Sequence, residues 1–250
     1  MSSLLVERPA EGALLLRLHR PERRNALDGS LVAELRAALA AADADAACRV
    51  LLIAASGAVF CAGADLDEMS NGGPAARGLS SLLLELHHHS RPSIALVQGA
   101  ALGGGVGLVA ACDFALGTAS ARFRLPEVRI GLLPAMISPY LVRAMGVRQA
   151  TRHALDGEWF GPDTALHEGL LHEIVGADEL QLRGLALAAS IAQGAPGALA
   201  ATRRTLADVA GRPIDATLAA QLAQQFAAAV AGPEARERLA RVPGGKGGAR

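Results

Sequence analysis

Eighteen residues from Ile94 to Ala111 carry no charge, yet no single helix can run through them, because Gln98 and five glycines interrupt the stretch. An interior glycine costs a helix about 1 kcal/mol relative to alanine. A broken apolar run of this kind fits strand, turn and helix in succession. Ser93 to Val97, entered through Arg91-Pro92, predicts a buried strand, and Gly99 to Gly107 predicts a glycine-rich turn entering a helix that continues to about Ala111.

The same rhythm recurs on either side. Leu14 to Leu18 predicts a short strand ending at the turn signal His19-Arg20-Pro21. Leu27 to Ala42 has helical periodicity through Leu27, Leu31, Leu35 and Leu39, with Asp28 or Ser30 as its cap. Val50 to Ala54 predicts a buried strand bounded by Ser56-Gly57. Ala62 to Asp67 reads as a loop, Asn71 to Pro74 as a breaker and Leu79 to His89 as a helix. Phe114 to Gly117 and Arg122 to Leu125 are further strand segments. Beyond them helices dominate: Ile137 to Ala144 and Arg148 to Leu155, separated by Gly146, then Asp163 to Glu168, Glu179 to Ala192, Pro196 to Ala210 and Asp215 to Ala231. The expectation is an α/β core over 1–190, a helical C-terminal region over 191–242 and a disordered tail over 243–250.

Composition narrows the function. The chain has 250 residues, of which 24 are basic, 24 acidic and 51% hydrophobic. Such balance gives no basic field for nucleic acid or a membrane surface. No uninterrupted run of about 20 apolar residues predicts a membrane span, and Met1 to Glu7 has no signal-peptide pattern. Three cysteines, Cys48, Cys61 and Cys112, are odd in number and lack CxxC spacing, which speaks against a disulfide framework or a zinc site and suits the cytoplasm.

Three segments carry chemistry. Val59-Phe60-Cys61-Ala62-Gly63-Ala64-Asp65-Leu66 follows a predicted strand, and its small residues let a ligand approach main-chain amides; a tight turn without a ligand is the plain alternative. Gln98 to Gly107 lies between strand and helix. It fails the dinucleotide pattern, because position 108 is Leu108, and it fails the P-loop pattern for want of a lysine. Free amides at a helix start favour a negative oxygen, so an oxyanion hole remains, beside the alternative of close glycine packing. Phe123 to Pro134 places Glu127 among apolar residues. A carboxylate there is either paired with Arg124 or Arg129, or raised in pKa for proton transfer.

Together, FCAGADL, GAALGGG and LPEVRIGLLP resemble the crotonase, or enoyl-CoA hydratase/isomerase, superfamily in order and spacing. Arg20 to Leu27 is similar to its RPxxxNAL signature. The resemblance covers roughly residues 4–230. It implies a spiral of ββα units with a helical C-terminal trimerisation region, and a homotrimer or hexamer acting on an acyl-CoA. No separate cofactor or metal is implied, since coenzyme A is part of the substrate. By the same resemblance, amides of Ala64 and Gly104 hold the thioester oxygen and Glu127 moves the proton. Arg24, Ala26, Ala62, Ala64, Asp65, Leu66, Asp67 and Gly104 bind the CoA ester. Gly107, Ala135, Met136 and Tyr140 are candidates for the acyl pocket.

One departure matters. Many hydratases of this family have a second glutamate where this chain has Gly107, which puts the two-carboxylate scheme for water in doubt and suits a double-bond isomerase. Gly104 to Asp113 with Pro134 to Tyr140 is similar, however, to a bacterial branch of methylglutaconyl-CoA and isohexenylglutaconyl-CoA hydratases that can also have glycine there. Ala135-Met136-Ile137 replaces a run that is glycine-rich in common short-chain members. The expected activity is hydration of a 2-enoyl-CoA, branched or carboxylated in its acyl group. The alternatives are a double-bond isomerase and a non-catalytic acyl-CoA binder; RNA binding has little support from a neutral chain.

Other residues are set aside. His87-His88-His89 on a helix would spread over about 200° and cannot converge on one metal ion, so a solvated face is expected. Cys61 is read as a packing residue, and Asp65 as the cap of the following turn.

Overall fold

The computed structural model describes residues 2–65, 67–68 and 75–241. The chain begins with a hairpin in which β1 (Leu4–Ala10) and β2 (Ala13–Leu18) pair antiparallel, with Gly12 in the turn. Helix α1 (Gly29–Ala44) follows. Next, β3 (Val50–Ala55) joins β2 in parallel, β4 (Val59–Cys61) leaves that sheet, and α2 (Ala75–His88) follows. β5 (Ser93–Val97) joins β3, β6 (Ala100–Leu102) pairs with β4, and α3 (Gly104–Ala111) follows. β7 (Phe114–Thr118) joins β5, β8 (Arg122–Arg124) pairs with β6, and a 3-10 turn over Glu127–Ile130 leads to α4 (Ser138–Asp156). After α5 (Pro162–His167), β9 (Glu173–Val175) pairs with β7, and α6 (Leu180–Ala192) covers the strands.

Strand, strand and helix thus succeed one another four times. The larger sheet has the order β1-β2-β3-β5-β7-β9, and β4-β6-β8 form a second sheet. This is the α/β spiral of ββα units expected from the resemblance.

The central strands are apolar throughout because both faces of their sheet are covered. Leu14, Leu16, Leu51 and Ile53 point into one cluster with α1, α2, α3 and α4. Alternate residues Leu15, Leu52, Ile94 and Leu96 meet α6 on the other face through Leu180 and Ala188. Each fully buried leucine contributes roughly 1.5–3 kcal/mol. Asp28 caps α1 by accepting from Leu31 N at 2.8 Å.

The chain divides into two compact units, Met1–Gln193 and Gly194–Arg250. The second holds α7 (Pro196–Val209), α8 (Ala216–Ala231) and α9 (Pro233–Leu239). Within it Asp215 caps α8 through Leu218 N, and Glu234 accepts from Gly197 N and Ala198 N at the start of α7.

Several expectations need correction. β1, the three-residue strands β4, β6 and β9, and α9 were not anticipated. The glycine-rich turn contains β6, and its helix begins only at Gly104. The break expected at Gly146, by contrast, is present: α4 is two helical stretches joined at a kink where Gly146 is non-helical, at φ 74 and ψ 161. The histidine run is not one solvated face: His89 is 4% exposed, and a ring nitrogen lies 3.0 Å from Leu39 O. Residues 243–250, expected to be disordered, and the breaker 71–74 lie outside the described residues.

Candidate active site

The segments Arg20–Leu27 and Ala62–Asp65 come together as neighbouring strands of backbone. Ala62 N donates to Arg24 O at 3.0 Å, Leu27 N to Gly63 O at 2.8 Å and Asp65 N to Leu27 O at 3.1 Å. In this parallel bridge Gly63 O and Asp65 N face Leu27, so the amide of Ala64 points the other way. On that other side lies the start of α3. A methyl built on Gly104 would stand 3.7 Å from Ala64 N, and one built on Gly63 would stand 3.5 Å from Gly104 N. Among the described residues, no group accepts a hydrogen bond from either Ala64 N or Gly104 N. Gly104 is the first residue of α3, where amides have no partner inside the helix.

Two glycines make this approach attainable. Gly63 has φ +87, and a Cβ there would lie 2.8 Å from Leu102 O. Gly103, at φ +46 and ψ −115, holds the chain in a conformation that L side chains rarely adopt.

Glu127 sits against that same turn. Its Oε1 lies 2.7 Å from where a Cβ on Gly103 would stand, and its Oε2 is buried without a hydrogen-bond partner among the described residues. Both arginines that could have neutralised it are engaged elsewhere. Arg124 donates from Nε to Gly157 O at 2.8 Å, and Arg129 is held by Asp156 O and the Glu158 carboxylate. Burial pushes the Glu127 carboxyl above the usual glutamate range, against a smaller lowering by its own backbone amide. A carboxyl of this kind can pass a proton, and two fixed amides can hold a developing oxyanion.

A family model described as Enoyl-CoA hydratase/isomerase matches residues 8–237. The chain belongs to that family. The 2,3-dehydroadipyl-CoA hydratase of Escherichia coli K12 is 36% identical over 210 residues, which are 82% of each chain. The mevalonyl-coenzyme A hydratase of Aspergillus fumigatus is 35% identical over 81% of this chain and 77% of its own. Among solved structures, an enoyl-CoA hydratase from Shewanella pealeana superposes with a TM-score of 0.89 at 31% identity, covering 95% of this chain and 91% of that one. The relatives support an enzyme of the enoyl-CoA hydratase/isomerase type.

The remaining predicted site residues of this family member fall as follows. Arg24 is exposed; Ala26, Ala62 and Ala64 are half-buried. Asp65 is buried, and its Oδ1 accepts from Asp67 N at 3.1 Å and Glu68 N at 3.4 Å, as a cap does. Burial works to raise its pKa. The amides of Glu68 and Asp67, with Arg23 at 3.4 Å, outweigh that and hold it below the usual range. The exposed Asp67 side chain pairs with Arg23 at 2.8 Å. Leu66 lies outside the described residues. Gly107 is buried, Ala135 exposed and Met136 half-buried. Tyr140 is buried with its ring 5.6 Å from that of His87. Burial pushes the Cys61 thiol up to about 12, so it stays uncharged at neutral pH.

Sequence reasoning missed Asn25. It is fully buried at φ +54, accepts from Arg20 N at 2.8 Å, and donates to Ser56 O at 2.9 Å and Val59 O at 2.8 Å. It thereby ties the first segment to the turn before β4. Its type was a signal, since asparagine tolerates left-handed backbone, but its partners are carbonyls some thirty residues away. Also missed was the contact of Gly107 with Ile137: a Cβ on Gly107 would meet Ile137 Cγ2 at 2.3 Å.

Proposed function

We propose that the protein adds water across the double bond of a 2-enoyl-CoA, with the amides of Ala64 and Gly104 holding the thioester oxygen and Glu127 moving the proton. The reading is carried by the Glu127 carboxyl, whose buried Oε2 has no hydrogen-bond partner among the described residues, beside the helix start that bears an unengaged amide. Water oxygen bonds to C3 and gives a proton to the Glu127 carboxylate, while the π electrons shift into an enolate whose charge rests on the thioester oxygen. The two amides stabilise that charge, and losing one such donor typically costs about 3–4 kcal/mol. The proton then passes from Glu127 to C2, which closes the cycle with one molecule of water added.

The substrate we propose carries a branched or carboxylated acyl group. The names of two relatives, for 2,3-dehydroadipyl-CoA and mevalonyl-CoA, support a further polar group on the chain. Arg24, Ala26, Ala62 and the stretch 64–67 would bind the CoA portion, with Gly107, Ala135, Met136 and Tyr140 along the acyl group. We also propose a homotrimer or hexamer in the cytoplasm.

Double-bond isomerisation is the second reading, favoured by Gly107: one carboxyl suffices to take a proton from one carbon and return it to another. Assays on crotonyl-CoA, 3-methylglutaconyl-CoA and a 3-enoyl-CoA separate the two. Water addition to either 2-enoyl thioester is the expected result. Isomerisation of the 3-enoyl-CoA with no hydration of the others would replace the first reading with the second.

A further inference from the structure

Ile137 is the residue just before α4, 2% exposed, and its side chain occupies the space that any side chain on Gly107 would need. The built Cβ at Gly107 lies 2.3 Å from Ile137 Cγ2, 3.0 Å from Ile137 Cβ and 3.5 Å from Leu83 Cδ1. Gly107 N donates to Gly103 O at 3.0 Å, so one helical turn, about 6 Å of rise, separates these glycines. Glu127 rests on the first of them and Ile137 on the second. One segment, residues 127–137, therefore docks a carboxyl and an apolar side chain on α3 in succession. No carboxylate can project from position 107 while Ile137 stays in place.

We propose that Ile137, seated on Gly107, is a specificity-determining residue that forms an apolar wall of the acyl site beside Glu127 and selects the acyl group by its shape. This rests on the reading that the thioester lies between the amides of Ala64 and Gly104 and the Glu127 carboxyl. The wall keeps a second acid–base group off this flank of α3, so polar recognition of the acyl group falls to other parts of the site.

The test compares wild type, Ile137→Val and Ile137→Ala on crotonyl-CoA and 3-methylcrotonyl-CoA by kcat/KM. Calorimetric Kd values for butyryl-CoA and isovaleryl-CoA run in parallel. A methylene in an apolar pocket typically changes discrimination by about 10–200-fold. Ile137→Ala is expected to shift the branched-to-linear ratio at least tenfold towards the branched ester, and Ile137→Val to shift it severalfold in the same direction. Gly107→Ala is expected to lower the melting temperature, and Ile137→Ala in the same chain to recover it. A ratio unchanged within twofold in both kcat/KM and Kd, in variants folded by circular dichroism, overturns the proposal. Should Ile137→Ala fail to fold, Ile137→Val decides by the same ratio. Wild type that hydrates neither of these thioesters nor 3-methylglutaconyl-CoA, with a Kd ratio that still shifts, rejects the proposed activity and leaves this inference standing. Turnover with a fixed ratio does the reverse. Absence of binding of any acyl-CoA rejects both.

Discussion

Glu127 has a carboxylate oxygen that no hydrogen bond from the described residues reaches, and burial makes its charge costly. Its pKa is raised in the fold, so between the ordinary glutamate value of about 4.3 and that raised value the native state binds more protons than the unfolded chain. Stability therefore falls as pH climbs through this window and stays lower above it. Glu127→Gln removes the ionisation, and the variant is expected to melt higher than wild type at pH 7–8, with the gap closing near pH 4. Its turnover is expected to drop by about 10²–10⁴-fold. Thermal melts across pH and steady-state kinetics check the two halves, and unchanged turnover removes Glu127 from the mechanism. Asn25 works in the opposite sense, since it reacts with nothing but satisfies buried backbone groups on two sides. Asn25→Ala leaves Arg20 N without its partner and strips a donor from Ser56 O and Val59 O. A loss on the order of 3 kcal/mol in chemical denaturation is expected. A loss below 1 kcal/mol would mean that water or a shifted backbone replaces the side chain.

Among elements, the turn into α3 concentrates the demands on the backbone. Gly103→Ala places a methyl in a left-handed conformation, worth roughly 1–3 kcal/mol of strain, and against Glu127 Oε1. Lower stability together with reduced turnover is the expected result. Full activity at unchanged stability would show that the turn relaxes without moving the carboxyl. The central strands were legible from sequence because β3 and β5 are buried on both faces and so read as unbroken apolar runs. β1 was not, because it is an edge strand, half-solvated and containing Pro9. β4, β6 and β9 have three residues each, too few to show a period. Of the candidate site, the sequence showed Glu127 among apolar residues, and its part in proton transfer came only through the family resemblance. Which of its two arginine neighbours paired with it could not, and neither does: Gly157 O and Glu158 lie about thirty residues away in sequence. The seating of Ile137 on Gly107 is likewise a contact across thirty positions and has no local signature.

At the scale of the molecule, the second unit leaves large apolar side chains in solvent. Phe226 is 72% exposed, Leu206 64% and Ile214 97%. Alanine-rich helices of this kind bury little by themselves, and large apolar side chains left in solvent are ones a partner subunit would cover. Analytical ultracentrifugation is expected to give three or six times the 25.5 kDa chain mass, with Phe226→Asp shifting the protein towards smaller species. A 25.5 kDa particle at all concentrations would sink the proposed trimer or hexamer.

All eight residues of α3 are buried, and glycine, alanine, valine and leucine are its whole alphabet. The rod that presents the amide of Gly104 thus has little room for any larger side chain while its neighbours stay where they are. A substrate that calls for a new group on α3, an acid at position 107 included, requires the segment leaning on that position to be rebuilt with it.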